Sequence, residues 1–358
     1  MQIINGALKN YAWGIPRGLD QWIGATVSAR VQPQAELWFG VHPNGASTVA
    51  DSGVALDRIL GRADVPILVK ILAAAKPLSV QVHPNSALAQ EGFNTLNNTV
   101  QFAGAFADPY EKIELLYALT PFTAFCGWRP VEQVRQVFDA LGIDGPAEVS
   151  SESGVSRQDL FVYCVNHEVA PDTLGRIPSA IRAAGLSQLE ISSYERVVSD
   201  YPGDQGALLA VFLQPISLAP GESVYIPSGV PHSYIAGTGI EVMTSSDNVL
   251  RLGLTPKPVY PELALRALDF DASRSRSTDA PFSVEVINAN SDVASHLELP
   301  SGQFRVVLCL AGRTHVLGTE LSCGQAAVIT ATEPAISIST TGSYAIIRTE
   351  LSVVSCEL

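Results

Sequence analysis

Charge is scarce in this 358-residue chain. Asp, Glu, Lys and Arg make up 16% of it, and 22 basic residues face 35 acidic ones. The net charge of −13 argues against nucleic acid as a partner, because a polyanion needs a basic surface. An anionic small molecule then has to be met by a few cations gathered at one place. Long apolar runs are missing as well. No stretch is long enough to span a bilayer, and Met1-Gln2-Ile3-Ile4-Asn5-Gly6 has no basic segment followed by an apolar one, so a cytoplasmic protein with no membrane partner is expected. The five cysteines, Cys126, Cys164, Cys309, Cys323 and Cys356, are odd in number and scattered, which excludes a disulfide framework and a zinc ribbon. They read as packed, reduced thiols.

What the chain does have is apolar content, 47%, enough for a large core in two or three domains. Residues 1 to about 123 show short β-type runs at 35–41, 67–72, 78–83 and 113–119, separated by Gly, Pro and Asn. From Pro130 the period changes. Val131, Val134, Phe138 and Leu141 fall on one helical stripe, and 158–166, 179–184 and 187–200 also read as helices. Strand patterns return at 208–213, 223–226, 232–235, 239–244 and 249–254, and 282–358 is β-rich. The expected organisation is a β domain of 1–128 with 207–262, a helical insertion at 129–206, and a second β unit at 263–358. Gly221-Glu222-Ser223-Val224-Tyr225-Ile226 is echoed by Gly324-Gln325-Ala326-Ala327-Val328-Ile329, but only the first copy leads to a histidine. Two β-barrels, one of them metal-free, are the simplest expectation.

Leu78-Ser79-Val80-Gln81-Val82-His83-Pro84-Asn85 carries the chemistry. As a strand it turns Leu78, Val80 and Val82 to a core and Ser79, Gln81 and His83 to the other face. An amide oxygen and an imidazole at i, i+2 can reach one metal ion. His232, delivered by the rigid corner Pro227-Ser228-Gly229-Val230-Pro231, looks like the second half of a cupin-type metal site, and Glu114 is the fourth donor. Two nitrogens and two oxygens suit Zn²⁺ with a position left for substrate. A lone histidine is more often structural, which is the expectation for His167, His296 and His315, while His42 orders a loop. Glu114 by itself reads as a surface carboxylate; its nomination depends on the other three. Arg251 lies opposite Leu250, Leu252 and Leu254, either facing solvent or projecting into the barrel to stabilise oxyanion charge. Lys70 is either an edge lysine snorkelling to water or a buried cation with an anionic partner. Lys70, Ser79, Lys112 and Arg251 together form the local positive patch.

These segments resemble the type I mannose-6-phosphate isomerases, zinc-dependent cupin enzymes. The resemblance runs through Asn10-Tyr11-Ala12-Trp13-Gly14, Ala35-Glu36-Leu37-Trp38-Phe39-Gly40, Gln81-Val82-His83-Pro84-Asn85 and Cys126-Gly127-Trp128-Arg129-Pro130. It continues through Ser246-Asp247-Asn248-Val249-Leu250-Arg251-Leu252-Gly253-Leu254-Thr255-Pro256-Lys257. It implies a mainly β fold: a cupin-type jelly-roll barrel with a helical insertion and a second, metal-free C-terminal barrel. It implies one Zn²⁺ on Gln81, His83, Glu114 and His232, with Arg251 and Lys112 in the active site and Lys70 and Ser79 at the phosphate end. Glu241 and Asp247 would lie near the reacting carbons and Trp13 at the pocket wall. The family has Asn-His-Lys-Pro-Glu where this chain has Tyr110-Glu111-Lys112-Ile113-Glu114, so Glu111 would have to take any proton-transfer part of that histidine.

The implied reaction interconverts mannose 6-phosphate and fructose 6-phosphate, moving a proton between C1 and C2 through a cis-enediol(ate), with Glu241, Lys112 or Glu111 as proton carrier and a sugar phosphate as the only partner of a monomer. Two rivals remain at this point. An Fe²⁺ cupin oxygenase gains nothing from Lys70, Ser79 or Lys257 and commonly uses several histidines where this chain has Gln81. A non-catalytic sugar-binding cupin predicts binding without turnover.

Overall fold

The computed structural model describes residues 1–24, 31–146, 156–272, 277–289, 295–349 and 351; Cys356 lies outside them. Two antiparallel sheets share one long strand, His232–Thr244. Along one sheet the order is Ala7–Lys9, Glu36–Phe39, Ile67–Ala74, His232–Thr244, Glu114–Ala118, Ser223–Ile226. Along the other it is Leu213–Leu218, Phe122–Trp128, His232–Thr244, Val80–Val82, Leu250–Gly253. The long strand changes partners at Gly237: Ala236 still pairs with Thr123, whereas Gly237 pairs with Ala74. Gly237 has φ 135°, and a Cβ there would lie 2.5 Å from the Phe122 ring, so only glycine makes the corner. The pattern 232–235 and 239–244 is therefore one strand crossing two layers. The chain is mainly β and carries the cupin-type layering, and its sheets stay open rather than closing into barrels.

Alternation gives the first sheet two characters. Glu36, Trp38, Lys70 and Glu241 share one face, while Leu37, Phe39, Val69, Ile71, Leu115, Ile240 and Val242 are buried on the other. That apolar face packs against a six-stranded sheet ordered Phe282–Asn288, Ser343–Thr349, Phe304–Ala311, Gln325–Ile329, Gln2–Asn5, Thr48–Val49. The first strand of the chain thus completes the sheet of its last segment. The far side of that sheet covers a four-stranded one, Ser295–Leu299, Ile336–Thr340, Arg313–Val316 and Thr319–Ser322. Strands buried on both faces read as unbroken apolar runs, as in Val306-Val307-Leu308-Cys309-Leu310.

Helices cover the second sheet. Val131–Leu141, Arg157–Asn166, Ile177–Ala183 and Gln188–Asp200 stand where the periodicity put them. Residues 208–213 differ from expectation: Gly206–Ala210 is a helix, and the strand begins at Leu213. Every residue of Gly206–Ala210 is buried, so no alternation marks its type; Ala and Leu favour helix, and Asp204 Oδ1 accepts from Gly206 N at 2.7 Å to start the turn. One carboxylate docks the insertion. Glu190 closes a capping box with Ser187 and accepts from buried Arg129 at 2.7 Å, just after the strand Phe122–Trp128. Among the described residues no helix is long and apolar enough to cross a membrane.

Candidate metal and active site

Val80–Val82 buries Val80 and Val82 against the helices and leaves Gln81 half-buried toward the space between the sheets. His83 follows it, His232 opens the long strand opposite Gln81, and Glu114 opens its own strand opposite Met243 and Ile226. His83, Glu114 and His232 are fully buried, with ligand atoms within 4.8 Å of one another. Glu114 Oε1 lies 3.2 Å from His83 Nε2, and Oε2 lies 3.4 Å from His232 Nε2. Each imidazole spends its Nδ1 proton on a backbone carbonyl, His83 on Asn248 at 2.9 Å and His232 on Val230 at 3.1 Å. That fixes both Nε2 lone pairs toward the carboxylate. His83 Nε2 consequently has no hydrogen-bond partner although it is buried. Burial, then Lys112, pushes the His83 imidazole down to about 3, so it stays neutral. Burial works to raise Glu114, but Lys112 at 2.9 Å holds it below the usual carboxylate range. Two imidazoles and one carboxylate aimed at a common point, one atom orphaned, fit a divalent cation. Gln81 lies beside them, its Nε2 3.1 Å from His232 Nε2, while its Oε1 accepts from Ser79 Oγ at 2.8 Å.

Beside this centre a cavity of about 410 Å³ opens, lined by Trp13, Lys70, Ser79, Gln81, Lys112, Glu114, Glu241, Asp247 and Arg251. Eleven of the twelve residues singled out in the sequence lie at the centre or along this cavity. Glu111 does not. Its carboxylate accepts from Ser86 Oγ at 3.0 Å and from Ser228 Oγ, away from the cavity lining. Lys70 takes the second of its two expected settings, a buried cation with anionic partners. It lies on a central strand, buried, with its ammonium 2.7 Å from Glu241 and 3.6 Å from Glu36, so its anionic partners are carboxylates of the protein. Burial alone would depress it; Glu241, Glu36 and Glu114 hold it above the ordinary lysine range. Burial raises Glu241 despite Lys70. Asp247 goes the other way: burial is outweighed by Lys112, His42, Lys70 and a hydrogen bond from Asn44 at 3.0 Å. His42 Nδ1 accepts from Asn44 N at 3.2 Å and so orders its loop.

The cavity contains residues not singled out in the sequence, Tyr11, Glu36, Lys76, Asp200, Tyr201 and Tyr234, and Lys257 lines it too. Asp200 and Tyr201 come from the helical insertion, whose periodicity says nothing of its end closing over a cavity between sheets. Tyr201 is anchored by its hydroxyl on Pro77 O at 2.9 Å. Lys257 sits over the Tyr11 ring at 5.2 Å, and it was legible as the end of the Thr255-Pro256-Lys257 motif.

A model of the phosphomannose isomerase type I catalytic domain matches residues 1–131. The mannose-6-phosphate isomerase of Salmonella typhimurium is 30% identical over 98% of this chain and 100% of its own length. That of Escherichia coli is 33% identical over 74% of this chain and 73% of its own, and the human enzyme 30% over 75% and 73%. Among solved structures, a mutant of phosphomannose isomerase from Salmonella typhimurium superposes with a TM-score of 0.81 at 26% identity, covering 98% of this chain and all of that one. A mannose 6-phosphate isomerase bound with zinc and yttrium gives 0.78 at the same identity and coverage. With a buried cluster fit for a metal beside a cavity carrying charges of both signs, and a relative 30% identical over 98% of its length, the chain belongs to the type I mannose-6-phosphate isomerases.

Proposed function

We propose that the protein binds one Zn²⁺ on Gln81, His83, Glu114 and His232 and interconverts mannose 6-phosphate and fructose 6-phosphate through a cis-enediol(ate). The orphaned His83 Nε2, facing Glu114 and His232 with both imidazole tautomers fixed, carries this reading. Opening the sugar ring exposes the C1 aldehyde. One proton then leaves C2 and one arrives at C1, while a hydroxyl proton passes from O2 to O1, and the aldose becomes the ketose. Zinc, when bound, supplies a Lewis acid that favours negative charge on the oxygens of C1 and C2.

The chain's own residues divide the remaining work. Glu241 is the proton carrier supported best, because it lines the cavity and burial raises its pKa toward working pH. Lys70 holds that carboxylate in place at 2.7 Å. Arg251 and Lys112 supply fixed positive charge for the enediolate, and Asp247, kept ionised, balances them. Ser79, with Lys76 and Lys257 exposed at the rim, takes the phosphate, while Trp13 walls the cavity. Clamping that remote dianion holds C1 and C2 in register with Glu241. A coupled assay for fructose 6-phosphate formed from mannose 6-phosphate tests this. Turnover should vanish with a chelator and return on adding Zn²⁺; turnover indifferent to the chelator overturns the metal assignment.

A further inference from the structure

Glu111 occupies a position the cavity does not use, and its surroundings explain why a carboxylate is there. Three short segments deliver the three buried metal donors, and Glu111 joins all three. It stands three residues before Glu114. Its carboxylate accepts from Ser86, three residues after His83, at 3.0 Å, and from Ser228, four residues before His232. Backbone pairing also joins these segments, Gln81 with His232 and Glu114 with Ile226. Gly229 N donates to His83 O at 3.0 Å, and Thr244 Oγ1 donates to the Glu111 carbonyl at 2.8 Å while accepting from Ile113 N at 3.2 Å. Among the described residues, the Glu111 side chain is the one that bonds to the hydroxyls of both neighbouring segments.

Resting on the reading that His83, Glu114 and His232 hold a metal, we propose that Glu111 is a positioning residue: a carboxylate clamp that sets the spacing of the three donor segments from behind and thereby fixes metal affinity. A two-oxygen acceptor suits the task, since each oxygen takes one charge-assisted hydrogen bond from a serine. Partners of this kind, one step behind the ligands, typically govern metal affinity tenfold to a hundredfold. The half-buried Glu111 carboxylate is spent on this clamp and does not carry the substrate's proton.

The test is competition for Zn²⁺ between the full chain and a chromogenic chelator, with the dissociation rate followed by chelator capture. Glu111→Ala should weaken affinity and speed release by about tenfold or more. Glu111→Gln, which keeps one acceptor and can donate to the other serine, should recover most of the difference. Ser86→Ala with Ser228→Ala should reproduce Glu111→Ala without touching the carboxylate, and covers the case in which Glu111→Ala does not fold. With Zn²⁺ saturating, Glu111→Ala should turn over within about tenfold of the parent, its pH profile keeping the same limbs. Unchanged affinity in both the Glu111→Ala and double-serine proteins overturns the clamp. So does a metal-saturated Glu111→Ala protein that loses a limb of its pH profile. If the parent chain itself takes up no Zn²⁺, the metal reading fails instead, a separate result.

Discussion

In the first β unit the sheet face turned to the cavity carries Glu36, Trp38, Lys70 and Glu241; in the C-terminal unit the inward face carries Val307, Cys309, Ala327, Ile329 and Ile346. The turns match: Gly221 and Gly324 both have positive φ, 96° and 84°, and each leads into a strand, Ser223–Ile226 or Gln325–Ile329. Beyond those strands the units part. The first continues through Pro227 and Pro231 to His232. The second runs through a loop whose carbonyls at Thr330, Glu333 and Pro334, with Pro300, accept from the buried Arg305 guanidinium at 2.7–3.3 Å. Burying unlike charges together costs desolvation that their attraction rarely exceeds by much. The cavity face therefore adds little to stability. The apolar layers behind it, shared with the C-terminal sheet, let one unit hold a charged interior while the other supplies cohesion.

This division predicts that changes in the first unit alter chemistry and changes in the second alter stability. The largest effect is expected from Glu114→Ala, which removes the only anionic donor. Metal content measured by mass spectrometry should fall to near zero, and kcat/KM by on the order of a thousandfold or more. Retained metal with normal turnover would remove Glu114 from the donor set. Next comes Arg251→Ala. Steady-state kinetics should show kcat lower by roughly a hundredfold to a thousandfold, with metal content intact. Turnover near normal removes Arg251 from the enediolate.

Much of this contrast can be read from the chain alone, for physical reasons. A strand half-exposed to a cavity alternates, so Val80-Gln81-Val82-His83 announces its two faces. Motif spacing also located His232 and Arg251, although their partners are far away in sequence. Two kinds of feature escape. Residues buried all round lose their period, which is why the strand expected at 208–213 gives way to the helix Gly206–Ala210. Pairings across the whole chain leave no local mark either: Gln2–Asn5 against Gln325–Ile329 and Lys70 against Glu241 are fixed by packing. Glu111 combines both problems, since its chemistry suggests the cavity and only the placement of Ser86 and Ser228 directs it elsewhere.

Two buried arginines give the finest comparison. Arg305→Met takes the shared donor from four loop carbonyls and should cost about 2 kcal/mol, seen as a lower urea midpoint, with kcat/KM of the folded enzyme unchanged. A matching fall in kcat would mean that the C-terminal unit shapes the active site. Arg129 differs in answering to a carboxylate. Burial tends to raise Glu190, but Ser187 and Arg129 outweigh it and hold its pKa below the ordinary glutamate value. A folded-state pKa below the unfolded one stabilises fully above the unfolded value, and that stabilisation fades as pH falls through the folded one. Glu190→Gln, which keeps the capping geometry, should therefore melt below the parent at neutral pH, with a gap that closes on acidification below about 4.5. Carbonyls do not titrate and only the Glu333 carboxylate acts on Arg305 without bonding to it, so the Arg305→Met gap should change less over the same range. Melting curves from pH 7 to pH 4 decide it: a Glu190 gap that widened toward acid would mean that the insertion is not held to the β core by this ion pair.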